Sequence, residues 1–238
     1  MIVINNPNNP TGSTIPKAVL QEVVDFAKER GIIVLCDEVY SPLYHNLPSG
    51  TGAPPSILTL GYEKTVATGS LSKAFALAGI RVGWVASRSK EILEAINDAR
   101  DYTTISVSHL DDQVAAYALS TKVFPSLIRR NMTLAKTNLD LLDAFIQKHS
   151  DICSWVKPTA GTTAWVHFRS QGRAIDDEKF VLDLLDKTKV LFLPATPCFG
   201  HGKDFNGYVR IGYACHTAVL EDGLDKLAKY ITENFGRE

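Results

Sequence analysis

The stretch MIVINNPNNPTGSTIPKAVLQEVVDFAKERGIIVLC, residues 1–36, decides the fold. Met1–Asn5 is a short apolar run that ends in Asn6-Pro7-Asn8-Asn9-Pro10-Thr11-Gly12, a cluster of turn formers. It reads as a buried strand running straight into a turn. Pro16 then opens a helix, since proline is tolerated where a helix begins. Val19, Leu20, Val23, Val24 and Ala27 fall on one face of it, and Gly31 suits the position just past its end. Ile32–Cys36 follows, rich in β-branched residues and too short for a helix. Strand, helix and strand in this order predict a parallel sheet with crossover helices.

Working outward, residues 41–62 read as loop, broken by Pro42, Pro48, Gly50, Gly52, Pro54 and Pro55. Lys64–Thr68 and Arg81–Ala86 read as strands flanking a segment rich in glycine, serine and alanine. Helices are expected near Glu91–Arg100, near Asp112–Ser120 and from Phe124 to Lys148. Beyond them come a strand at Thr163–Phe168, a helix around Asp177–Leu185, and strands at Val190–Leu193 and Tyr208–Gly212. Leu220, Leu224, Leu227, Ile231 and Phe235 recur at helical spacing and mark a final amphipathic helix. The pattern predicts two α/β units, divided as residues 1–122 and 123–238, with the long helix in the second. No internal repeat or low-complexity tract interrupts them.

A chain of 238 residues, 45% hydrophobic and 21% charged, can build its core without disulfide or metal staples. The formal net charge is −1, and no basic run offers a footprint for nucleic acid or an acidic membrane. Cys36, Cys153, Cys198 and Cys215 are scattered, with no paired spacing. Cys36 sits in an apolar run and reads as a buried small hydrophobe. The start has no basic region, and no stretch approaches the roughly 18 apolar residues of a membrane span. A cytoplasmic protein is expected. The six histidines show no metal-ligand spacing, so no metal centre is expected.

Four polar clusters stand at strand ends, where open α/β sheets place their ligand sites. They are Asn9-Pro10-Thr11-Gly12, Asp37-Glu38-Val39-Tyr40, Ser70-Leu71-Ser72-Lys73 with Arg81 eight residues on, and Arg210 within Tyr208–Gly212. Each has a plain structural explanation when met alone: a turn, a helix cap or solvated edge, a surface lysine. Arg210 is the exception, because a guanidinium in an apolar strand needs a partner. Ser70-Leu71-Ser72-Lys73 also satisfies the nucleophile motif of serine β-lactamases, but the Ser-Asp-Asn and Lys-Thr-Gly elements of those enzymes do not occur.

Taken together, Asn5 to Gly12, Asp37 to Tyr40, Gly69 to Lys73 and Gly79-Ile80-Arg81-Val82-Gly83-Trp84 resemble the class I/II aminotransferases. These are pyridoxal-5′-phosphate (PLP) enzymes of fold type I. The resemblance runs through essentially the whole chain and is strongest over residues 1–110. It implies part of the PLP-binding large domain, a mainly parallel sheet with helices, followed by a smaller α/β domain. It implies that Lys73 forms a Schiff base with the PLP aldehyde and that Asp37 pairs with the pyridine nitrogen. Tyr40 and Asn9 would hydrogen-bond the ring's 3′-oxygen, with Asn9 also at the substrate. Ser70, Ser72 and Arg81 would hold the phosphate, and Arg210 the substrate α-carboxylate. Amino acid and 2-oxo acid substrates and a homodimer are implied in the same way.

The chemistry of these side chains is consistent with that assignment. PLP draws electrons from an amino acid's α-carbon into a protonated pyridine ring. An anion facing the ring nitrogen keeps that proton in place, by a charge-assisted bond worth about 1.5–3 kcal/mol. A guanidinium binds a carboxylate or phosphate through two parallel bonds. Glu38 and His45 receive no role, the first as a structural or exposed acid and the second as a loop residue.

Two features depart from the family pattern. Family members carry a long stretch ahead of the strand that precedes Asn9; it supplies a phosphate-cradling loop and the aromatic stacked on the ring. Pro194-Ala195-Thr196-Pro197-Cys198-Phe199-Gly200 stands where a Pro-Gly-x-x-Phe-Gly turn is common. Besides an aminotransferase, the motifs accommodate a PLP-dependent lyase, racemase or cyclase, and a non-catalytic partner subunit.

Overall fold

The computed structural model describes residues 1–235 as two compact units, and the chain passes from the first to the second inside one helix, after Met132. The first unit holds residues 1–9, 13–132 and 159–161, and the second holds, of the described residues, 10–12, 133–158 and 162–235.

The first unit is a four-stranded sheet with helices. Strand β1 is Ile2–Asn5, helix α1 is Lys17–Glu29 and strand β2 is Val34–Asp37. A 3-10 turn spans Ile57–Thr59 ahead of β3, Thr65–Ser70, and β4 is Gly83–Ser87. The strands lie in the order β1-β2-β3-β4, with the first three parallel and β4 antiparallel to β3. The expected strand–helix–strand is therefore present, with β2 set two residues later than the apolar run suggested and reaching Asp37. β4 runs back because no crossover helix separates it from β3. Val34 and Cys36 face a core made with Leu20, Val24 and Ala27 of α1 and with Ile57, Leu60, Tyr62 and Ala67. Helix α2, Lys90–Arg100, is capped by Ser89, whose side chain accepts from Ile92 N, and α3, His109–Leu119, is capped by Ser108 in the same manner.

Helix α4, Phe124–Lys148, has the bounds expected from its sequence. In the second unit an antiparallel sheet runs β5-β6-β9-β8, formed by Cys153–Trp155, Thr163–Ser170, Tyr208–Gly212 and Leu193–Pro194, with β7, Arg173–Ala174, paired to β6. Helix α5, Asp177–Thr188, and α7, Thr217–Phe235, pack on each other, with Phe180 between Phe168 and Tyr230 at ring separations of 4.9 and 5.7 Å. The expected strand at Val190–Leu193 shrinks to Leu193–Pro194. Lys189 is left-handed at φ 63° and Val190 N donates to Thr188 Oγ1, so these residues belong to the helix exit. Ala195–Phe199 forms a further short helix, α6, that the sequence reading treated only as a turn.

Among the described residues, no helix is long and apolar enough to cross a membrane and no cluster of His, Cys, Asp or Glu could hold a metal ion.

Candidate functional site

The parallel register sets Asn5 opposite Asp37 and Asp37 opposite Thr68, which makes a polar row at the C-terminal ends of β1, β2 and β3. In a strand the side chains alternate between faces. Val34 and Cys36 are buried against α1, so Asp37 stands on the opposite face from that core. Its Oδ1 accepts from Thr68 Oγ1 at 3.0 Å and from Val39 N at 3.2 Å. Asn5 Nδ2 donates to the Asp37 carbonyl at 3.1 Å, while Asn5 Oδ1 accepts from Asn9 N at 2.6 Å. The strand end thereby fixes where the turn at Asn9 begins.

Glu38 turns the other way. Its carboxylate accepts from Ile57 N at 2.8 Å and caps the 3-10 turn, and burial raises its proton affinity above the ordinary carboxylate range. Burial, with the negative Glu38 and Asp37 beside it, pushes the Cys36 thiol up to about 12. Both are structural groups. Tyr40 is buried, and Gly161, left-handed at φ 77°, lies against its ring. A side chain there would be strained by the backbone conformation alone, since its Cβ would meet Tyr40 at ordinary contact distance. His45 lies in a loop, as expected, and is buried with Nε2 3.0 Å from Gly161 O.

Lys73 rides on a rigid turn. Leu71, Ala74 and Phe75 are buried on either side of it, Ala76 is left-handed at φ 58°, and Ala76 N donates to Lys73 O at 3.0 Å. Asn131 Nδ2 holds the Ala74 carbonyl at 2.9 Å. Ser70 Oγ lies 2.9 Å from Ser72 Oγ and accepts from Ser72 N at 3.0 Å. Arg81, left-handed at φ 55°, donates from Nη1 to Ala78 O at 2.8 Å.

Asn9, Asp37, Tyr40, Ser70, Ser72, Lys73 and Arg81 all line one cavity of about 390 Å³, together with Asn5, Val39 and Ala78. The seven candidate residues of the first unit are thus brought together. The eighth, Arg210, belongs to the second unit, on β9, opposite Leu193 and Trp165 in the ladder. Its guanidinium lies 5.6 Å from the Phe199 ring, and Trp165 meets Phe199 edge-on at 5.1 Å. Asn5 and Thr68 were missed by the sequence reading, because what marks them is pairing across strands and not local composition.

The polar side chains around the cavity are an amine, a carboxylate, a phenol, two amides, two hydroxyls and a guanidinium. Such a set suits a flat, polar, anionic ligand with a reactive carbonyl.

The sequence model of the family described as aminotransferase class I and II matches residues 1–230. The chain is 28% identical over 236 residues to an aspartate aminotransferase of Pyrococcus abyssi, covering 98% of this chain and 57% of the relative. It superposes on a PLP-dependent aminotransferase from Streptococcus suis with a TM-score of 0.87 and 36% identity, covering 100% of this chain and 58% of that one. On the PLP-dependent cyclase OrfR the TM-score is 0.83 and the identity 29%, with 97% and 58% covered. The chain therefore spans a little over half the length of the proteins it matches.

Proposed function

We propose, from the premise that this chain belongs to the aminotransferase class I and II family, that it is the lysine-bearing portion of a PLP-dependent enzyme transferring an amino group between an amino acid and a 2-oxo acid. The observation that carries this reading is the single cavity around which Lys73, Asp37, Tyr40, Asn9, Ser70, Ser72 and Arg81 meet. The donor set fits the cofactor. Asp37 keeps one carboxylate oxygen for a ring nitrogen, since the other is engaged by Thr68 and Val39. Arg81 and the two serines suit a phosphate, and the Tyr40 phenol and the Asn9 amide suit a ring oxygen.

When bound, the cofactor supplies an electron sink for the substrate's α-carbon. The protein's own part is binding, orientation and proton handling. Lys73 Nζ would hold the cofactor at its carbonyl carbon and, when free of it, would carry the proton of the substrate's α-carbon, which a general base must do within hydrogen-bond reach. Asp37 would face the ring nitrogen. Arg210 binds the substrate's α-carboxylate through its planar fork, for which lysine would be a poor substitute. The division into part of the large PLP-binding domain, residues 1–122, and a small C-terminal domain that includes the long linking helix, residues 123–238, belongs to the same proposal.

A homodimer in the cytoplasm completes the reading. Tyr102, Ile105, Leu110 and Tyr117 are exposed large hydrophobics on one stretch of chain, which such a dimer would cover. Light scattering on the purified chain tests that part.

A second reading, a PLP-dependent cyclase or related lyase or racemase, is favoured by the likeness to OrfR. Incubation with PLP, a ¹⁵N-labelled amino acid and a panel of 2-oxo acids separates the two. Label appearing in a new amino acid, and lost with Lys73→Ala, supports transamination. Consumption of the donor with no label in the acceptor refutes it.

A further inference from the structure

Asp37 is held by two donors on the same oxygen. The Val39 amide approaches Oδ1 at 3.2 Å and the Thr68 hydroxyl at 3.0 Å. Among the described residues, Thr68 is the one side chain that donates to this carboxylate. It does so from the neighbouring strand, in direct register. A carboxylate's last torsion is soft, with no sharp staggered wells of its own. Its plane is therefore set by whatever bonds its oxygens. The longer amide bond alone leaves it room to turn. A threonine in a strand is well suited to setting it, because branching at Cβ restricts the first torsion and so fixes where Oγ1 lies.

We propose that Thr68 is a positioning residue for the cofactor: its hydroxyl locks the Asp37 carboxylate so that the second oxygen, Oδ2, faces the cavity and receives the ring nitrogen. This rests on the reading of the cavity as a PLP site. The hydroxyl acts twice. By occupying Oδ1 it leaves a single acceptor for the ring. By donating to the carboxylate it adds a charge-assisted bond that fixes the carboxylate's plane.

Thr68→Val keeps the shape and the strand preference and deletes the donor; Thr68→Ser keeps the donor. Crystal structures of the cofactor-free wild type and both variants read the carboxylate directly. The Asp37 plane is expected unchanged in wild type and Thr68→Ser, and turned or split between two orientations in Thr68→Val. Titration of each full chain with PLP, followed by its visible absorption, reads the consequence. Affinity is expected to fall about tenfold in Thr68→Val, the effect of losing a bond to a charged group. The band should also change position, and Thr68→Ser should restore both. An unmoved carboxylate in Thr68→Val overturns the positioning role whatever the cofactor does. So do a wild-type affinity and band in that variant. A wild-type chain that takes up no PLP, with Asp37 still turned by the valine, overturns the cofactor reading and not the effect of Thr68 on Asp37.

Discussion

Asp177 is the least exposed charged side chain among the described residues of the second unit, at 1%, and its removal should be felt there more than that of the exposed residues of α5. Its Oδ1 accepts from Thr196 Oγ1 at 2.6 Å and from Gly207 N at 3.2 Å, and its Oδ2 accepts from Thr196 N at 2.8 Å. One carboxylate thus ties the start of α5 to α6 and to the residue before β9. Asp177→Ala strands two backbone amides, those of Thr196 and Gly207. A buried donor left without a partner costs about 1–3 kcal/mol, so the loss should total about 2–6 kcal/mol. That is a large share of the roughly 5–15 kcal/mol that holds an ordinary domain together. Asp177→Asn keeps the volume and one acceptor, and the Thr196 hydroxyl can rotate to accept from the new amide, so about half the loss is expected. Urea unfolding in a Trp84→Phe background reads the effect, because the remaining tryptophans, Trp155 and Trp165, both lie in the second unit. Trp165 touches Phe199 of α6 and so reports on the tied segment itself. An Asp177→Ala curve within about 0.5 kcal/mol of its parent, the range of ordinary surface substitutions, would refute the reasoning.

Thiol labelling should sort the cysteines by burial. Cys198 is exposed and should react with a thiol reagent in the native chain, while Cys36 and Cys153, buried and pushed up to about 12, should react only on unfolding. Fast native labelling of Cys36 would contradict the packing of β2 on α1. Glu38 sets a pH dependence. Burial raises its pKa from the ordinary 4.5, so the folded chain binds this proton more tightly than the unfolded one. Its contribution is complete below pH 4.5 and declines as pH rises through the raised value. Unfolding midpoints of wild type relative to Glu38→Gln should therefore fall across that window, and a flat difference would count against it.

The parts of the molecule legible in the sequence are those whose signal is local. Val19, Leu20, Val23, Val24 and Ala27 repeat at helical spacing, and α1 forms there; Phe124–Lys148 is one uninterrupted amphipathic run, and α4 has those bounds. The motifs at Asn9, Asp37, Ser70, Lys73 and Arg81 are local sequence patterns in or near strand ends, and all five residues line one cavity. What escaped depends on partners distant in sequence. Asn5 and Thr68 are ordinary strand residues until the parallel register sets them on either side of Asp37. Asp177 looks like the second half of an acidic helix start, and only the fold brings Thr196 and Gly207 to it. The strand expected at Val190–Leu193 failed because an apolar run carries no sign that its first residues are needed to leave a helix.

On the proposed function, Lys73 is the residue that bonds the cofactor. Treating the purified chain with PLP, reducing with borohydride and mapping the modified peptide tests this. The label is expected on Lys73, at stoichiometry well above any other lysine, and should vanish in Lys73→Ala. Label spread over surface lysines, or unchanged by that substitution, would contradict it.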